Sequence, residues 1–256
     1  MTTLERFANS VVQSCDSTNT LLRSLGEAGY PQGTWVSARQ QTAGRGRLGR
    51  KWLSRDGNLF LSFLVRPTNP STMTWIPLVS AVALYQAIQE TFPGNALLGE
   101  VKIKWPNDVW LGHAKLAGIL CEGVGTSRES FVVVGLGLNC VEIMSEDQEG
   151  LLIPAASLHQ FGSDPGLCEK IRPRVIAHLK TELEAFEKNG FAHARKIYEK
   201  AALFSPGTSV TWAQSGVQSA RVLGLGQSGE LKVIDSSGNE QSLWAEDVSL
   251  RPLRET

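Results

Sequence analysis

This chain has no excess of charge of either sign. It carries 25 lysines and arginines against 25 aspartates and glutamates, so its formal net charge at pH 7 is zero. A neutral protein has no overall field that attracts nucleic acid or an acidic membrane. Hydrophobic residues make up 42% of the 256 positions and charged residues 20%, which is ordinary for a globular protein. Any basic cluster is therefore expected to serve a local site.

Cysteine and histidine are scarce and are not grouped. The four cysteines contain no C-x-x-C pair, which favours buried free thiols in a reducing cytosol over disulfides. The four histidines have no metal-ligand spacing, so we expect no metal ion held by the protein. The residues concerned are Cys15, Cys121, Cys140, Cys168, His113, His159, His178 and His193.

Long apolar runs are also lacking. The longest, residues 75–88, is interrupted by Pro77, Ser80 and Gln86 and is shorter than the roughly 20 residues that cross a bilayer. The N-terminus MTTLERFANS has an acid and an asparagine where a signal peptide requires apolar residues. These features predict a soluble, cytoplasmic protein.

The first 205 residues alternate between strand-like and helix-like hydrophobic patterns, which predicts an α+β domain with a sheet flanked by helices. Strands are predicted at residues 11–15, 34–39, 59–65, 101–105, 108–111, 116–123 and 131–138. Helices are predicted from residues 16–19 to about 28, and at 74–91, 167–188 and 192–203. Residues 40–56 are expected to form a long loop rich in glycine and arginine.

The pattern changes at Ser205-Pro206-Gly207. Beyond it, five short alternating runs are separated by turn residues and predict a small β-barrel. The runs are residues 209–213, 220–225, 231–235, 241–245 and 248–251. We therefore predict a first domain at 1–205 and a small second domain at 206–256.

The loop at residues 44–52 reads GRGRLGRKW and places four cations within seven residues, among three glycines. Glycine lets the backbone approach an anion closely, and arginine offers planar paired donors to phosphate or carboxylate. Trp52 supplies a flat face on which a base can stack. The pattern is typical of a site for an anionic ligand.

The composition of this loop fits other functions as well. It is also compatible with a solvated basic surface or with a nucleic-acid patch, although a broad basic footprint is missing. The phosphate-binding loop of the Walker A type is excluded because Arg50-Lys51 stands where lysine and serine or threonine are required. A dinucleotide-binding motif at Gly135 and Gly137 is excluded because Cys140 replaces its third glycine.

Two further motifs, KWPND at residues 104–108 and KLAGIL at 115–120, place charged groups beside strands. Each has a structural alternative: Trp105 as a core residue, Asp108 as a turn residue and Lys115 as a solvated hairpin end. Taken in order with DSTN at 16–19, the loop at 44–52 and GLGLN at 135–139, they resemble the biotin–protein ligases. The resemblance runs from about residue 11 to VSLR at 248–251, which is similar to the family's last strand.

The resemblance implies the fold of class II aminoacyl-tRNA synthetase-like ligases, a mixed β-sheet flanked by helices, with a small SH3-like β-barrel at the C-terminus. It also implies a function: activation of biotin by ATP to biotinyl-5'-adenylate, then transfer of biotin to a lysine of a biotin carboxyl carrier protein, a subunit of acetyl-CoA carboxylase. ATP and biotin are the substrates, and Mg²⁺ is held mainly by the ATP phosphates.

Bifunctional members of the family carry an N-terminal helix-turn-helix domain, for which Ser17 leaves no room. We therefore expect a monofunctional ligase that binds no DNA operator. The sequence leaves open whether two copies pair into a homodimer through their sheet edges.

The resemblance also assigns roles to residues. The biotin pocket would be formed by side chains that contact the ureido ring, by the loop that closes over the ligand, and by the lysine that reaches the biotin carboxylate and the α-phosphate. These residues are Ser17, Thr18, Asn19, Gln41, Arg45, Gly46, Arg47, Lys115 and Gly118. Trp52, Asn139 and Arg251 would contact ATP or the adenylate. Arg45, Arg47, Lys115 and Asp108 would be catalytic, with Asp108 acting on the acceptor amine.

Three alternatives remain at this point. A lipoate–protein ligase shares the adenylate chemistry, but its arginine-arginine-x-x-glycine-glycine-glycine loop is not found in this sequence. A non-enzymatic nucleic-acid-binding module would use the arginine loop on phosphates, with salt-sensitive binding and no ATP turnover. A scaffold with a degenerate ligase domain is disfavoured because no key position is visibly lost.

Overall fold

The computed structural model describes residues 4–125, 130–149, 151, 153–213, 217–245 and 250–252. Its main feature is a seven-stranded mixed sheet in the order β1-β2-β3-β7-β6-β5-β4. The β1–β2 pair is parallel and the other neighbours are antiparallel. The strands are β1 Ser10–Cys15, β2 Trp35–Gln41, β3 Leu59–Val65, β4 Val101–Lys104, β5 Asp108–Leu111, β6 Ala114–Gly125 and β7 Ser130–Leu138.

Helices cover both faces of this sheet. Helix α1 packs on β2, β3 and β7, while α2 and α4 pack together on the opposite face. The side chains of β3 divide accordingly: Leu61 and Phe63 join the large core under α2 and α4, and Leu64 joins a smaller core under α1. The helices are α1 Thr18–Glu27, α2 Ile76–Thr91, α3 Ser145–Gln148, α4 Leu167–Asn189 and α5 Ala192–Ala201.

The segment Pro70–Thr91 is long and apolar enough to cross a membrane by length and composition alone. In the structure 61% of its apolar 18-residue window is buried, because α2 lies between the sheet and α4. The segment is therefore explained as a core helix. The predicted start at residue 74 is wrong in detail: a 3-10 turn, Pro70–Trp75, precedes α2, and the Asn69 side chain accepts a hydrogen bond from the Ser71 N–H at 3.0 Å.

The C-terminal part forms a second, antiparallel sheet of five strands in the order β11-β10-β9-β8-β12. This confirms the predicted change to short strands. Residues 246–249, which include half of the last predicted strand, lie outside the described residues. The strands are β8 Ser209–Ala213, β9 Val217–Leu225, β10 Leu231–Ile234, β11 Glu240–Leu243 and β12 Arg251–Pro252.

The two sheets share one continuous apolar core. Val210 and Val222 belong to the same buried cluster as the large sheet, and the Trp105 Nε1–H donates to the Gly229 carbonyl at 3.0 Å. Trp105 is only 1% exposed, so the structural interpretation of this residue is correct. The division into two domains near residue 205 stays a prediction.

Some predicted details are corrected by the structure. Strand β4 ends at Lys104, one residue early, and β2 continues to Gln41, two residues further than predicted. The expectation of four buried thiols is wrong for two of them. All four cysteines are free, but only Cys140 and Cys168 are buried, whereas Cys15 and Cys121 are partly exposed.

Candidate active site

A cavity of about 410 Å³ opens on the large sheet, between the start of α1 and the strands β6 and β7. The loop at 44–55 and the segment 143–155 form its other walls. It gathers predicted site residues from five separate stretches of sequence: Ser17, Thr18, Asn19, Gln41, Arg45, Gly46, Arg47, Trp52, Asp108, Lys115, Gly118 and Asn139. The one remaining predicted residue, Arg251, has its backbone in β12, and its side chain lies outside the described residues.

The floor of the cavity is a buried hydrogen-bond network at the start of α1. The Thr18 N–H donates to Gln41 Oε1 at 2.9 Å, which holds the glutamine across the N-terminus of the helix. Ser62 Oγ lies 2.8 Å from Thr18 Oγ1 and 2.6 Å from Asn19 Oδ1. Ser62 is fully buried, and Thr18 and Asn19 are 3% and 4% exposed. These polar atoms are therefore fixed in position before any ligand arrives.

Asn19 is held from a second side. Its Nδ2 group donates to Glu122 Oε2 at 2.5 Å and to the Leu120 carbonyl at 3.3 Å. Gly135 faces it from β7, where a Cβ atom would come within 2.2 Å of Asn19 Oδ1. Only glycine leaves room for the amide at this place, which gives the first glycine of the GLGLN motif a packing role.

The arginine loop folds back on itself above this floor. The Gly46 N–H donates to the Arg50 carbonyl at 2.7 Å, and the Trp52 N–H donates to the Gly44 carbonyl at 3.0 Å. A short 3-10 turn, Arg47–Gly49, forms the tip. The loop predicted at 40–56 is thus more ordered than its glycine content indicated, since backbone hydrogen bonds close it.

Two of the arginines of the loop, Arg45 and Arg47, contact opposite walls. Arg45 Nη1 donates to Thr20 Oγ1 at 3.2 Å, and its Nη2 lies 3.3 Å from Glu122 Oε1. Arg47 Nη1 donates to Asn107 Oδ1 at 2.9 Å. Each guanidinium is therefore held at the rim of the cavity by a protein acceptor that an anionic ligand can replace.

Trp52 lies against a glycine pair in the sheet. Gly118 of β6 is the register partner of Gly137 of β7. A Cβ atom on Gly137 would come within 2.4 Å of the Trp52 ring, and one on Gly118 within 3.0 Å. The buried Trp52 Nε1–H has no hydrogen-bond partner among the described residues. An unsatisfied buried donor costs about 1–3 kcal/mol, so this atom favours a ligand acceptor.

Three charged side chains meet at the deep end of the cavity. Lys115 Nζ lies 2.7 Å from Asp108 Oδ1 and 5.4 Å from the centre of the Trp52 ring. Lys104 stands opposite Asp108 in the β4–β5 register and is only 3% exposed. Burial lowers the pKa of Lys104 to about 8, and Asp108 partly offsets this effect. An anionic ligand can therefore bind these cations, either in place of Asp108 or together with it.

Asn139 stands at the end of β7, beside the segment that closes the cavity. Its Nδ2 group donates to the Ala156 carbonyl at 2.9 Å, and its own N–H donates to the Leu116 carbonyl at 3.1 Å. The side chain is therefore fixed at the cavity wall. Its predicted contact with the nucleotide stays a prediction.

Comparisons with known proteins agree with this geometry. The profile described as the biotin/lipoate A/B protein ligase family matches residues 11–139. The bifunctional ligase/repressor BirA of Bacillus subtilis is 31% identical over 245 residues, which cover 91% of this chain and 71% of that protein. The chain belongs to the biotin/lipoate A/B protein ligase family.

Two other relatives are similar over different lengths. The biotin–[acetyl-CoA-carboxylase] ligase of Paracoccus denitrificans is 40% identical over 126 residues, about half of each protein (48% of this chain and 51% of the other). The structure of the biotin protein ligase of Aquifex aeolicus in complex with biotin and ATP superposes with a TM-score of 0.79 at 28% identity, covering 95% of this chain and 98% of that one. The predicted α+β ligase fold is confirmed.

Sequence reasoning missed several residues of this ligase's site. Ser62 and Glu122 complete the floor, and Asn107 receives Arg47. Lys104 begins the KWPND motif, but only Asp108 of that motif was assigned a site role from the sequence. A signal existed for Ser62, because a lone polar residue inside the apolar run LFLSFLV of a buried strand needs a partner. Glu122 had no such signal, since a glutamate in a strand is most often solvated.

Proposed function

We propose that this ligase forms biotinyl-5'-adenylate in the 410 Å³ cavity and passes the biotin to a lysine of the biotin carboxyl carrier subunit of acetyl-CoA carboxylase. The observation that carries the proposal is that the twelve predicted site residues with described side chains all line one cavity. A fixed polar floor lies at one side of it, Lys115 lies at the deep end, and Arg45 and Arg47 lie at the rim. Biotin has a polar ureido ring at one end and a carboxylate at the other, so it matches the polar floor and the cations.

In the first step, an oxygen of the biotin carboxylate attacks the α-phosphorus of ATP, and the bond to pyrophosphate breaks. Two unit charges about 4 Å apart repel by roughly 4 kcal/mol at an effective dielectric of about 20. Lys115 is placed to offset this repulsion. Its ammonium group lies in the cavity wall, where it pairs with a carboxylate, Asp108, at 2.7 Å. Mg²⁺, held mainly by the ATP phosphates, would neutralise the remaining oxygens.

The loop would then protect the product. The adenylate is a mixed anhydride, which water destroys, so exclusion of water is needed. Arg45 and Arg47 hold the loop through Glu122 and Asn107. Exchange of these contacts for the ligand's carboxylate and phosphate would couple loop closure to the presence of the adenylate.

In the second step, the acceptor lysine attacks the acyl carbon and AMP leaves. A free lysine with a pKa near 10.4 is less than about 0.1% neutral at pH 7, so the amine must be oriented and must lose a proton. Asp108 is the proposed group, since it lies in the cavity and its ion pair with Lys115 can be released once Lys115 has bound the adenylate. A normal transfer rate in Asp108→Asn would contradict this role.

The decisive experiment measures pyrophosphate release and bound adenylate with ATP, Mg²⁺ and either biotin or lipoate. Biotin-dependent release with retained biotinyl-adenylate, lost in Lys115→Ala and Arg47→Ala, is the expected result. Release with lipoate alone would favour the lipoate branch of the family. Turnover with neither acid would remove the ligase proposal.

The remaining parts of the proposal concern surroundings and partners. We place the ligase in the cytoplasm because its four cysteines are free thiols, and we propose that it acts without nucleic acid because its charges balance. A salt-resistant, sequence-specific DNA complex in a gel-shift assay would contradict this. Pairing of two copies through sheet edges is the remaining prediction, and sedimentation equilibrium would show whether the mass is that of one chain or two.

A further inference from the structure

A second cavity, of about 260 Å³, lies behind the wall of the active site. Asn58 lines both cavities and separates them. Unlike the active site, the second cavity has a thiol, Cys168, at its wall. Apart from Cys168, its polar lining comes from Ser37, Arg39, Asp56, Asn58, Glu169 and Arg172. This cavity admits a small polar molecule to a cysteine that the adenylation chemistry does not use.

Cys168 is not alone behind this wall. The Cys140 N–H donates to Asn58 Oδ1 at 2.7 Å, and the Cys168 thiol lies 3.5 Å from the Asn58 carbonyl oxygen. Both side chains belong to the same buried cluster, and each thiol shifts the pKa of the other. One residue thus holds the end of β7 and the start of α4 together, with a sulfur on each. The two cysteines are 28 positions apart in the sequence.

The two thiols differ in character. The contact with Cys140 and the Arg172 guanidinium, 3.9 Å from Sγ, lower the pKa of Cys168, against the opposing effects of burial and Glu169. The same thiol contact, followed by burial, raises the pKa of Cys140 well above its usual range. Cys168 is therefore the nucleophile of the pair, because it lines the second cavity beside the Arg172 guanidinium, whereas Cys140 does not line that cavity.

The other two cysteines provide an internal comparison. Burial, followed by the charge of Asp16, raises the pKa of Cys15 to about 11. Burial also raises the pKa of Cys121, followed by the charge of Glu122. Neither cysteine lines the second cavity. A thiol-selective oxidant that acts on thiolates is thus expected to distinguish Cys168 from both.

We propose that Cys140 and Cys168 form a reversible thiol–disulfide site that a small hydroperoxide oxidises through the second cavity. The Cys168 thiolate attacks one peroxide oxygen, the O–O bond breaks, and the leaving hydroxide takes a proton to become water. The resulting sulfenic acid is attacked by Cys140, so that the S–O bond breaks, a second water leaves and the S–S bond forms. Two thiols are oxidised by two electrons while one hydrogen peroxide is reduced to two waters.

Formation of the bond requires the two sulfurs to approach to about 2.05 Å. Cys140 lies beyond the end of β7, so its backbone is not held by the strand pairing of the sheet. The cross-link would join β7 to α4 immediately after Asn139, against the wall of the active site. The site is independent of the substrate that the ligase activates, so its test does not depend on the proposed function.

The experiment treats the full chain with a small excess of hydrogen peroxide, alkylates the remaining thiols and maps peptides without reduction. We expect two of the four thiols to be lost, the mass to fall by about 2 Da for the two hydrogens removed, and one cross-linked peptide pair to join Cys140 to Cys168. A dithiol reductant should restore all four thiols. Four unreacted thiols, or oxidation that begins at Cys15 or Cys121, would overturn the proposal.

Variants separate the two roles. Cys140→Ser should stop at a Cys168 sulfenic acid that a carbon nucleophile such as a cyclic dione traps, whereas Cys168→Ser should leave Cys140 reduced. Cys15→Ser and Cys121→Ser are matched controls that should form the cross-link as the wild type does. Because the wild-type map gives its answer without any variant, poor folding of a variant does not remove the test. Cross-linking in Cys168→Ser, or its loss in Cys15→Ser, contradicts the proposal.

Discussion

The floor of the active site and the arginine loop above it are built in opposite ways. The centre of the floor consists of short polar side chains, Thr18, Asn19 and Ser62, that are nearly inaccessible and hydrogen-bonded to one another, with Ser62 fully buried and Asn19 4% exposed. Glu122 lies at the edge of the floor, where its side chain is 37% exposed. The loop carries long cationic side chains near the surface: the Arg45 side chain is 45% exposed, and Leu48 at the tip is 67% exposed.

This difference separates recognition from capture. Buried, fully paired polar atoms cannot rearrange cheaply, so the floor presents a fixed pattern that selects a ligand by shape and hydrogen bonding. Exposed ion pairs contribute little to stability and exchange partners readily. The loop can therefore give up Glu122 and Asn107 for the charged end of a ligand without unfolding the site.

The largest effect on activity is expected from Lys115, the cation at the deep end of the cavity. Lys115→Ala removes the cation nearest to the expected α-phosphate and leaves Asp108 without its 2.7 Å partner. We expect biotin-dependent adenylate formation to fall by about 10²–10³, the usual loss for one charge-stabilising donor. Rapid-quench kinetics would measure it. Lys232→Ala, at an exposed position of β10, is the control, and an equal loss there would show a nonspecific effect.

The floor itself is tested by Ser62→Ala. Loss of the hydroxyl leaves Asn19 Oδ1 without its partner and removes one of the two contacts of Thr18 Oγ1, which keeps Gln41. We therefore expect about 2 kcal/mol less stability and a weaker affinity for biotin. Urea unfolding and calorimetric titration of biotin give the two values. Ser24→Ala on α1 is the matched control. Unchanged biotin affinity in Ser62→Ala would break the contrast between a selecting floor and a capturing loop.

The nucleotide side is tested by Gly137→Ala. The added methyl would stand 2.4 Å from the Trp52 ring and must displace it. Overpacking of this kind costs about 1–3 kcal/mol, and we expect the KM for ATP to rise about tenfold with little change in the KM for biotin. Gly123→Ala on β6, where a Cβ would meet nothing within 4 Å, should behave as the wild type. A larger change for biotin than for ATP would assign Trp52 to the other substrate.

A smaller effect concerns the buried cation. The pKa of Lys104 is about 8 in the folded protein against 10.5 for an unperturbed lysine. Between these values the unfolded chain binds more protons, so the wild type should gain stability relative to Lys104→Met as pH rises from 8 towards 10.5. We expect about 1 kcal/mol between pH 7 and pH 9, measured by urea unfolding of both proteins. A pH-independent difference would mean that burial does not disfavour the charge.

The smallest effect on stability belongs to the loop. Arg45→Ala removes a half-exposed pair with Glu122, so the free energy of unfolding should change by less than about 0.5 kcal/mol. The same variant should release biotinyl-adenylate faster than the wild type, which filter binding of the labelled adenylate would show. A large loss of stability without faster release would place Arg45 with the floor and remove the distinction.

Much of the site could be predicted from the sequence because its motifs are local. The glycines, arginines and tryptophan within 44–52 indicate an anion site, and twelve of the predicted residues do line one cavity. Residues whose role depends on a distant partner could not be predicted. Glu122 contacts Asn19 across 103 positions, and nothing near it in the sequence marks that contact. Burial was also misjudged for Cys15 and Cys121, which stand on strands that are not fully covered.

The sequence by itself determined the elements and the chemistry. The apolar run at 59–65 predicted both boundaries of β3. The order of the motifs indicated the ligase family. Both predictions were possible because periodicity and motif spacing are local properties of a chain. Only the tertiary structure decided which side chains share a wall. The pairing of β6 with β7 sets Gly118 beside Gly137 under Trp52, and Asn58 brings Cys140 to Cys168. Such contacts depend on strand register and helix packing, which the folded core fixes.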